Sequence, residues 1–212
     1  MFIIAICGAS GSGKSRFSKE LKEFTKDLKV EILSTDSFYK DYKTYTERQK
    51  RDFANDDLDY DNPELMDKEL LIQILGDLKA GKDVKIPVYN FNTYKREEGK
   101  FRMVHGDIDV VILEGIFTLS FMSLLKLYDL SVFIDTPEDI CLGRRLLRNS
   151  EERNGPFGDF SFKREFEYYK RFTMPFFRKN RRDMTNRATF MINGMKNDYG
   201  VIFKMIYRYI KN

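Results

Sequence analysis

Two hydrophobic periods alternate along this chain, and each switch between them predicts an element. The apolar run Phe2-Ile3-Ile4-Ala5-Ile6-Cys7 reads as a strand buried on both faces. Arg16 to Lys29 then places Phe17, Leu21, Phe24 and Leu28 on one side and polar residues on the other, the helical period. Val30 to Ser34 is a second strand, and Thr35 to Lys40 a loop leaving its carboxyl end. Lys40 to Asp61 is polar and poorly periodic, an excursion with one short helix. A clearer helix starts at Asn62-Pro63-Glu64, runs through Leu65, Leu70, Leu71, Ile74, Leu75 and Leu78, and closes at Ala80-Gly81.

Val84 to Tyr89 and Phe101 to Val104 form the two arms of a hairpin flap, with Pro87 confining the first arm to an edge and a polar loop from Asn90 to Lys100. Asp109 to Leu113 is a near-continuous apolar strand, and Leu130 to Thr136 a fourth. Pro137 opens the next helix at its favoured first position. Asn149 to Phe160 reads as a loop able to open and close. An aromatic-rich helix follows from Ser161 to Arg182, kinked or broken at Pro175. Ala188 to Ile192 is a fifth strand and Tyr199 to Ile210 a closing helix. Strands alternating with helices argue a parallel α/β sheet covered on both faces, without repeats, linkers or low-complexity segments.

Composition narrows the classes. At 212 residues the chain suits one domain, residues 1–212, with a sizeable core rich in Phe and Tyr. Cys7 and Cys141 lie far apart and make no disulfide framework, which fits a reducing, cytoplasmic setting. The first apolar run is too short for a signal peptide or a membrane span, and no later stretch approaches a spanning length. Net charge is +4, but Pro137 to Arg187 holds thirteen Lys/Arg against eight Asp/Glu. No RNA-reading motif accompanies that basic segment, so no nucleic-acid partner is expected.

The chemistry is concentrated after the first strand. Gly8-Ala9-Ser10-Gly11-Ser12-Gly13-Lys14-Ser15 is G-x-x-x-x-G-K-S between a strand and a helix. Its glycines let successive N–H groups turn inward around an anion, and the helix adds its positive end. Lys14 can reach the β- and γ-phosphates, and the Ser15 hydroxyl can ligate Mg²⁺. The alternative, a Gly/Ser-rich turn with a stray lysine, does not explain eight matching positions in this setting. A nucleoside triphosphate is the expected ligand. Asp36 leaves the second strand on the edge where open α/β sheets bind ligands, and Glu114 leaves the third in the same way. Glu114 there reads as a metal-associated acid ahead of the alternative, a helix N-cap acid, because Gly115 beside it allows close backbone approach. Arg145 and Arg148 share a helix face, and Arg153 follows just beyond.

Taken in order, Gly8–Ser15, Asp36-Ser37-Phe38-Tyr39, Tyr60-Asp61-Asn62-Pro63, Pro87-Val88-Tyr89, Glu114-Gly115 and Arg144-Arg145 with Arg148 resemble the uridine kinase (uridine–cytidine kinase) family. That family is a branch of the phosphoribulokinase/uridine kinase group, and the likeness covers about residues 2–175. It implies a P-loop NTPase three-layer sandwich of about five parallel strands, with a flap near 84–104 and a basic lid near 145–165. It also implies phosphoryl transfer from Mg²⁺·ATP to the 5′-hydroxyl of a pyrimidine ribonucleoside. By the same resemblance Asp36 is the catalytic base near Mg²⁺, Asp61 holds the ribose hydroxyls, and Tyr89 holds the nucleoside. Tyr39, Tyr60 and Phe91 border it, and Arg145, Arg148 and Arg153 reach phosphates and hydroxyls. Arginine suits that role because its planar fork pairs with phosphate oxygens and stays charged. The family often forms tetramers.

Three departures accompany the likeness. Tyr94 stands where the flap usually carries a base-reading His, and a phenol differs from imidazole in reach. The only His, His105, lies on the far arm. The lid run Glu-Arg-Gly-Arg is here Glu152-Arg153-Asn154-Gly155, without its second arginine, for which Lys163 or Arg164 could substitute. Asn186-Arg187-Ala188-Thr189 and Asn193-Gly194 replace the family's residues beside adenine. These leave open uridine against cytidine or another acceptor, and ATP against GTP. Pantothenate or sugar-phosphate kinases of the same group are near rivals. A regulatory NTPase is the rival from another class, although the guanine-reading Asn-Lys-x-Asp is absent. A binding protein that has lost catalysis would not be expected to keep Lys14, Ser15, Asp36 and Glu114 together. Substituting Tyr94→His is expected to shift the uridine-to-cytidine ratio of kcat/KM; an unchanged ratio would show that Tyr94 does not read the base.

Overall fold

The computed structural model describes residues 1–55, 57–90, 93, 95–152 and 161–211. Its strands, in chain order, are β1 (Phe2–Gly8), β2 (Val30–Ser34), β3 (Val84–Asn90), β4 (Lys95–Val104), β5 (Val110–Glu114), β6 (Leu130–Asp135) and β7 (Phe190–Asn193). Five of them form one parallel sheet in the order β2-β5-β1-β6-β7, and β3 and β4 form a separate antiparallel ribbon. The helices are α1 (Lys14–Phe24), α2 (Glu47–Ala54), α3 (Lys68–Lys79), α4 (Met122–Leu125), α5 (Glu138–Glu152), α6 (Phe162–Tyr168), α7 (Met174–Asn186) and α8 (Gly200–Lys211). None of the described helices is long and apolar enough to cross a membrane.

Side chains alternate across a strand, so β1 serves two cores. Ile4 and Ile6 pack with Phe17 and Leu21 of α1 and Phe203 and Ile206 of α8 on one face. Ile3 faces the other way, toward Leu71, Leu75 and Leu78 of α3 and the ribbon's Val84 and Ile86. Ala5 and Cys7 continue that second face against Cys141 of α5 and Phe177 and Met184 of α7. The result is the expected three-layer α/β sandwich.

The parallel register sets the level of the ligand edge. Glu114 of β5 stands opposite both Ile6 of β1 and Ser34 of β2. Three strands therefore release their chains at one height, each turning into a segment that carries polar chemistry.

Several element boundaries differ from expectation, each for a visible reason. The first helix stops at Phe24 instead of Lys29, because the Thr25 hydroxyl donates to the Leu21 carbonyl (2.9 Å) and caps the last turn. The helix expected from Asn62 is split. Pro63–Leu65 forms a single 3₁₀ turn capped by Asn62, and α3 begins afresh under the Asp67 cap. Between them Met66 bridges to Tyr39, while Lys40 N–H donates to Leu65 O and Asp67 N–H to Phe38 O, both at 2.7 Å. Tertiary pairing with the loop after β2 thus overrides helix continuity. The second flap arm starts at Lys95, not Phe101, so most of the expected loop is strand. Its run of charged residues hides the period of two, since the ribbon faces solvent. The polar excursion does contain one α-helix, α2, opened by a capping box between Thr46 and Gln49.

Two further differences bear on the site. Helix α5 continues through Glu152, where a loop was expected from Asn149. Pro175 does not break the aromatic helix. Instead Tyr169–Thr173 forms a π-helical turn between α6 and α7, with Pro175 in the first turn of α7. Proline lacks the N–H that an α-helix needs at that point, and the widened turn absorbs the loss without ending the helix.

Ile112 is fully buried at the centre of β5, between the strands that carry the loop and Asp36. Replacing it with alanine leaves a cavity beneath the ligand edge and is expected to cost about 2–5 kcal/mol. Urea unfolding measures this, and a loss well under ~1 kcal/mol would show that the sheet centre relaxes freely.

Candidate active site

The loop from Gly8 to Ser15 wraps from β1 into α1. Gly11 has φ +82°, and a Cβ there would lie 2.3 Å from the Cys141 carbonyl oxygen, so both its angle and its contact with α5 require glycine. Ser12 N–H donates to Ala9 O (3.0 Å), and Thr136, at the end of β6, donates its hydroxyl to Ser12 O (2.9 Å). Lys14 is buried and its ammonium donates to Ala9 O (2.9 Å). The Ser12 hydroxyl is also buried and has no hydrogen-bond partner among the described residues. A built ring of donors closed around its own lysine suits an anion.

Two carboxylates converge beside this ring. The Ser15 hydroxyl donates to Glu114 Oε1 at 2.9 Å. A Cβ on Gly115 would lie 1.7 Å from Thr35 Oγ1, so the turn Thr35–Phe38 that carries Asp36 can press against the end of β5 only because residue 115 is glycine. Asp36 is pushed up to about 6, first by desolvation and next by the charge of Glu114, while Lys14 and Arg148 pull it down. Its own surface opens to the cleft. The surrounding protein, and not direct coverage of the carboxylate, supplies the desolvation.

Among the described residues no cluster of three His, Cys, Asp or Glu groups could hold a metal unaided. Two carboxylates and a hydroxyl facing a phosphate ring are nonetheless a donor set that fits Mg²⁺. That ion takes one or two carboxylates and draws its remaining ligands from phosphates and water. A cation there would also relieve the repulsion between Asp36 and Glu114.

The other flank carries the remaining expected residues. Asp61 is 5% exposed and accepts a 2.5 Å hydrogen bond from the Thr173 hydroxyl. Burial raises its pKa, opposed by Arg145 and by that hydrogen bond. Asp59 accepts from the Asp61 N–H (3.0 Å) and is pushed to about 6 by burial and by Asp61. Tyr39 is buried, donates its hydroxyl to Tyr60 O (2.9 Å) and lies 5.2 Å from the ring of Tyr89. The Tyr60 N–H donates to the Tyr168 hydroxyl at 2.7 Å. Arg96 fastens the flap to this loop, donating to Tyr39 O (2.8 Å) and Asp67 Oδ2 (3.1 Å).

The arginines divide their tasks. Arg148 acts electrostatically on Asp36 and is braced by Asn149 Oδ1 at 3.3 Å. Arg145 turns inward, its Nε on Glu165 Oε1 (2.6 Å) and its Nη1 on the Thr173 hydroxyl (3.1 Å). Burial opposes its charge, but Asp61 and Glu165 outweigh that and raise its pKa. Arg144, which carried no expected role, places Nη1 near Gly11 O (3.4 Å) and Gly194 O (3.5 Å), tying the phosphate loop to the turn after β7.

The structure thus gathers Gly8, Ala9, Ser10, Gly11, Ser12, Gly13, Lys14, Ser15, Asp36 and Glu114 at one edge. Tyr39, Tyr60, Asp61, Tyr89, Arg145 and Arg148 lie on its flank. Phe91, Tyr94 and Arg153 lie outside the described residues, as does the middle of the expected lid, residues 153–160. Sequence reasoning missed Thr173, Glu165, Tyr168 and Thr136. Only Pro175 signalled that something unusual happens in the helix carrying three of them.

A glycine-rich loop after the central strand of an all-parallel sheet, with a serine hydroxyl on a strand-end carboxylate, defines a P-loop nucleotide-binding α/β protein. The chain belongs to the phosphoribulokinase/uridine kinase family, whose profile matches residues 3–159. Uridine kinase of Haemophilus influenzae (strain PittEE) is 44% identical over 155 residues, 71% of this chain and 70% of that protein. Uridine kinase of Schizosaccharomyces pombe is 43% identical over 150 residues, 71% of this chain but only 32% of that protein, so the chain spans about a third of this relative. The D-glycerate 3-kinase structure from Cryptococcus neoformans superposes with a TM-score of 0.65 at 16% identity, covering 94% of this chain and 88% of that one, a likeness of fold.

Because Asp36 sits near 6 when folded and at its ordinary 3.8 when unfolded, the folded protein holds the proton to higher pH. The stability this contributes is full below the unfolded value and is lost as pH rises through about 6. Substituting Asp36→Asn removes the penalty, so the nucleotide-free variant is expected to melt above wild type at neutral pH, with the gap closing below about pH 4. Thermal unfolding across that range checks it; a gap that does not change with pH would remove the strain from Asp36.

Proposed function

We propose that this protein transfers the γ-phosphoryl group of ATP to the 5′-hydroxyl of uridine or cytidine, giving UMP or CMP. The observation that carries the reading is the meeting of Lys14, Ser15, Glu114 and Asp36 at one sheet edge, with Asp61 and its aromatic neighbours alongside. The uridine kinase relatives supply the acceptor class.

The residues divide the work as phosphoryl transfer requires. Loop N–H groups and the Lys14 ammonium hold the β- and γ-phosphates and spread their charge. Ser15, Glu114 and Asp36 would hold Mg²⁺, which when bound neutralises charge on the transferring group. Asp36 accepts the proton of the 5′-hydroxyl; with phosphates and cation bound, the repulsion that raises its pKa is offset. Arg148, whose charge acts on Asp36, stabilises the migrating phosphoryl group. Asp61 orients the sugar through its hydroxyls, while Tyr39, Tyr60 and Tyr89 wall the nucleoside. We further propose ATP over GTP as donor, residues 1–212 acting as one kinase unit, a cytoplasmic location and a homo-oligomer.

The test is ADP release from Mg²⁺·ATP with uridine, cytidine, purine nucleosides, pantothenate or no acceptor. Turnover that depends on a pyrimidine nucleoside is expected, and Asp36→Asn should lower it by at least about 10²-fold with nucleotide binding nearly intact. Equal activity without an acceptor would replace this reading with that of a switch NTPase. Turnover confined to pantothenate would move it to another kinase of the group.

A further inference from the structure

A buried chain of polar groups runs from α5 through the π-helical turn to the sugar side of the site. Glu165 binds Arg145 Nε at 2.6 Å, Arg145 Nη1 meets the Thr173 hydroxyl at 3.1 Å, and that hydroxyl meets Asp61 Oδ2 at 2.5 Å. Glu165, Thr173 and Asp61 are 7%, 5% and 5% exposed. The direction of the chain is fixed by what each group can do. A guanidinium only donates, so Thr173 must accept from Arg145, and its single proton is left for Asp61. We propose that Thr173 is a positioning residue for nucleoside recognition, locking Asp61 so that its Oδ1 is presented to the acceptor's vicinal sugar hydroxyls. This rests on the nucleoside kinase reading and adds a residue beyond the matched family segment, which ends at 159.

Three features make the lock specific. Asp61 Oδ2 is occupied, so the carboxylate offers one oxygen with a fixed direction, which suits a vicinal diol better than a freely rotating group. Thr173 closes the π-helical turn Tyr169–Thr173. Compared with a continuous α-helix, the extra residue turns the following side chains by about 100°. Finally, the loop bearing Asp61 is tied to the same helix twice more. Tyr60 N–H donates to the Tyr168 hydroxyl, and Arg171 forks onto both oxygens of Asp57. The loop and the π-turn therefore form one unit, and Thr173 is the link that hydrogen-bonds Asp61 itself.

The experiment compares wild type, Thr173→Val and Thr173→Ser with Mg²⁺·ATP and uridine, 2′-deoxyuridine and 3′-deoxyuridine. Valine keeps the shape and removes the hydroxyl; serine keeps the hydroxyl. Thr173→Val is expected to raise KM for uridine about tenfold or more, leave KM for ATP unchanged, and reduce the preference for ribose over deoxyribose by a similar factor. Thr173→Ser should restore both. A valine variant with wild-type KM and wild-type sugar preference overturns the proposal. So does a serine variant as impaired as valine, because packing would then explain the loss. A ¹³C-carboxyl NMR titration of the same proteins reads the lock without substrate. Asp61 faces Arg145, Glu165, Lys14, Asp36, Asp59 and Tyr168. Its midpoint should rise in Thr173→Val and return in Thr173→Ser. That pattern in a protein inactive with every nucleoside would keep the lock on Asp61 and discard the acceptor; no shift overturns the lock itself.

Discussion

Asp36 and Glu114 are held together against their mutual repulsion, and the rest of the site is arranged around that constraint. The parallel register brings Glu114 level with Ser34, two residues before Asp36, and Gly115 lets the Asp36 turn close on the strand end. The charge of Glu114 is the second cause, after desolvation, of the raised pKa at Asp36. Lys14 and Arg148 pull the other way without removing the shift. A site strained in this manner favours a ligand that supplies positive charge between the carboxylates and phosphates on the loop. The protein thereby gives up stability at neutral pH in order to be complementary to a charged complex.

The two substrate sides are built from different materials. The phosphate side is mostly local: one loop, its own lysine and the ends of β5 and β6 supply most of its contacts, with Cys141 and Arg144 of α5 bracing the loop from outside. The acceptor side is assembled from distant segments. Asp61 meets Thr173 across 112 residues, and Tyr60 meets Tyr168 across 108. Loop closure over such separations costs conformational entropy, which the buried aromatic contacts of Tyr39, Tyr89 and Phe117 help to offset.

That contrast explains how much was legible in the sequence. The loop could be read letter by letter because its chemistry is contiguous and its spacing is set by backbone geometry. Asp36 and Glu114 were legible because each follows an apolar run, and the edge of a parallel sheet is common to all its strands. The first half of the flap's second arm was not, since Lys95 to Lys100 are polar, mostly exposed and carry no alternation. The split at Met66 was hidden for a different reason. The bridge to Tyr39 is a tertiary contact, and the leucines on either side keep a helical period through it. Arg145 could be placed on the helix after β6, but the sequence could not show that it turns inward to Glu165 and Thr173.

Pro175 shows how a local irregularity reaches the site. A proline at that position removes one helical hydrogen bond, which alone predicts a kink or an end. Here α6 and α7 are joined by a widened turn instead, with Tyr169 buried against α5 and its hydroxyl donating to Glu138 O at 3.3 Å. Packing on both sides of the turn resists a break, so the strain is taken up as one inserted residue. That insertion sets the angle at which Thr173 leaves the helix. The same helix places Tyr168 under the guanidinium of Arg145, 5.5 Å from its carbon. A continuous α-helix could satisfy the Tyr168 contact or the Thr173 contact, but three and four residues per turn cannot put positions five apart on one face. The π-turn can, because its repeat is longer. The proline is therefore tied to acceptor-side geometry through backbone hydrogen bonding alone, although its own ring need touch nothing that binds.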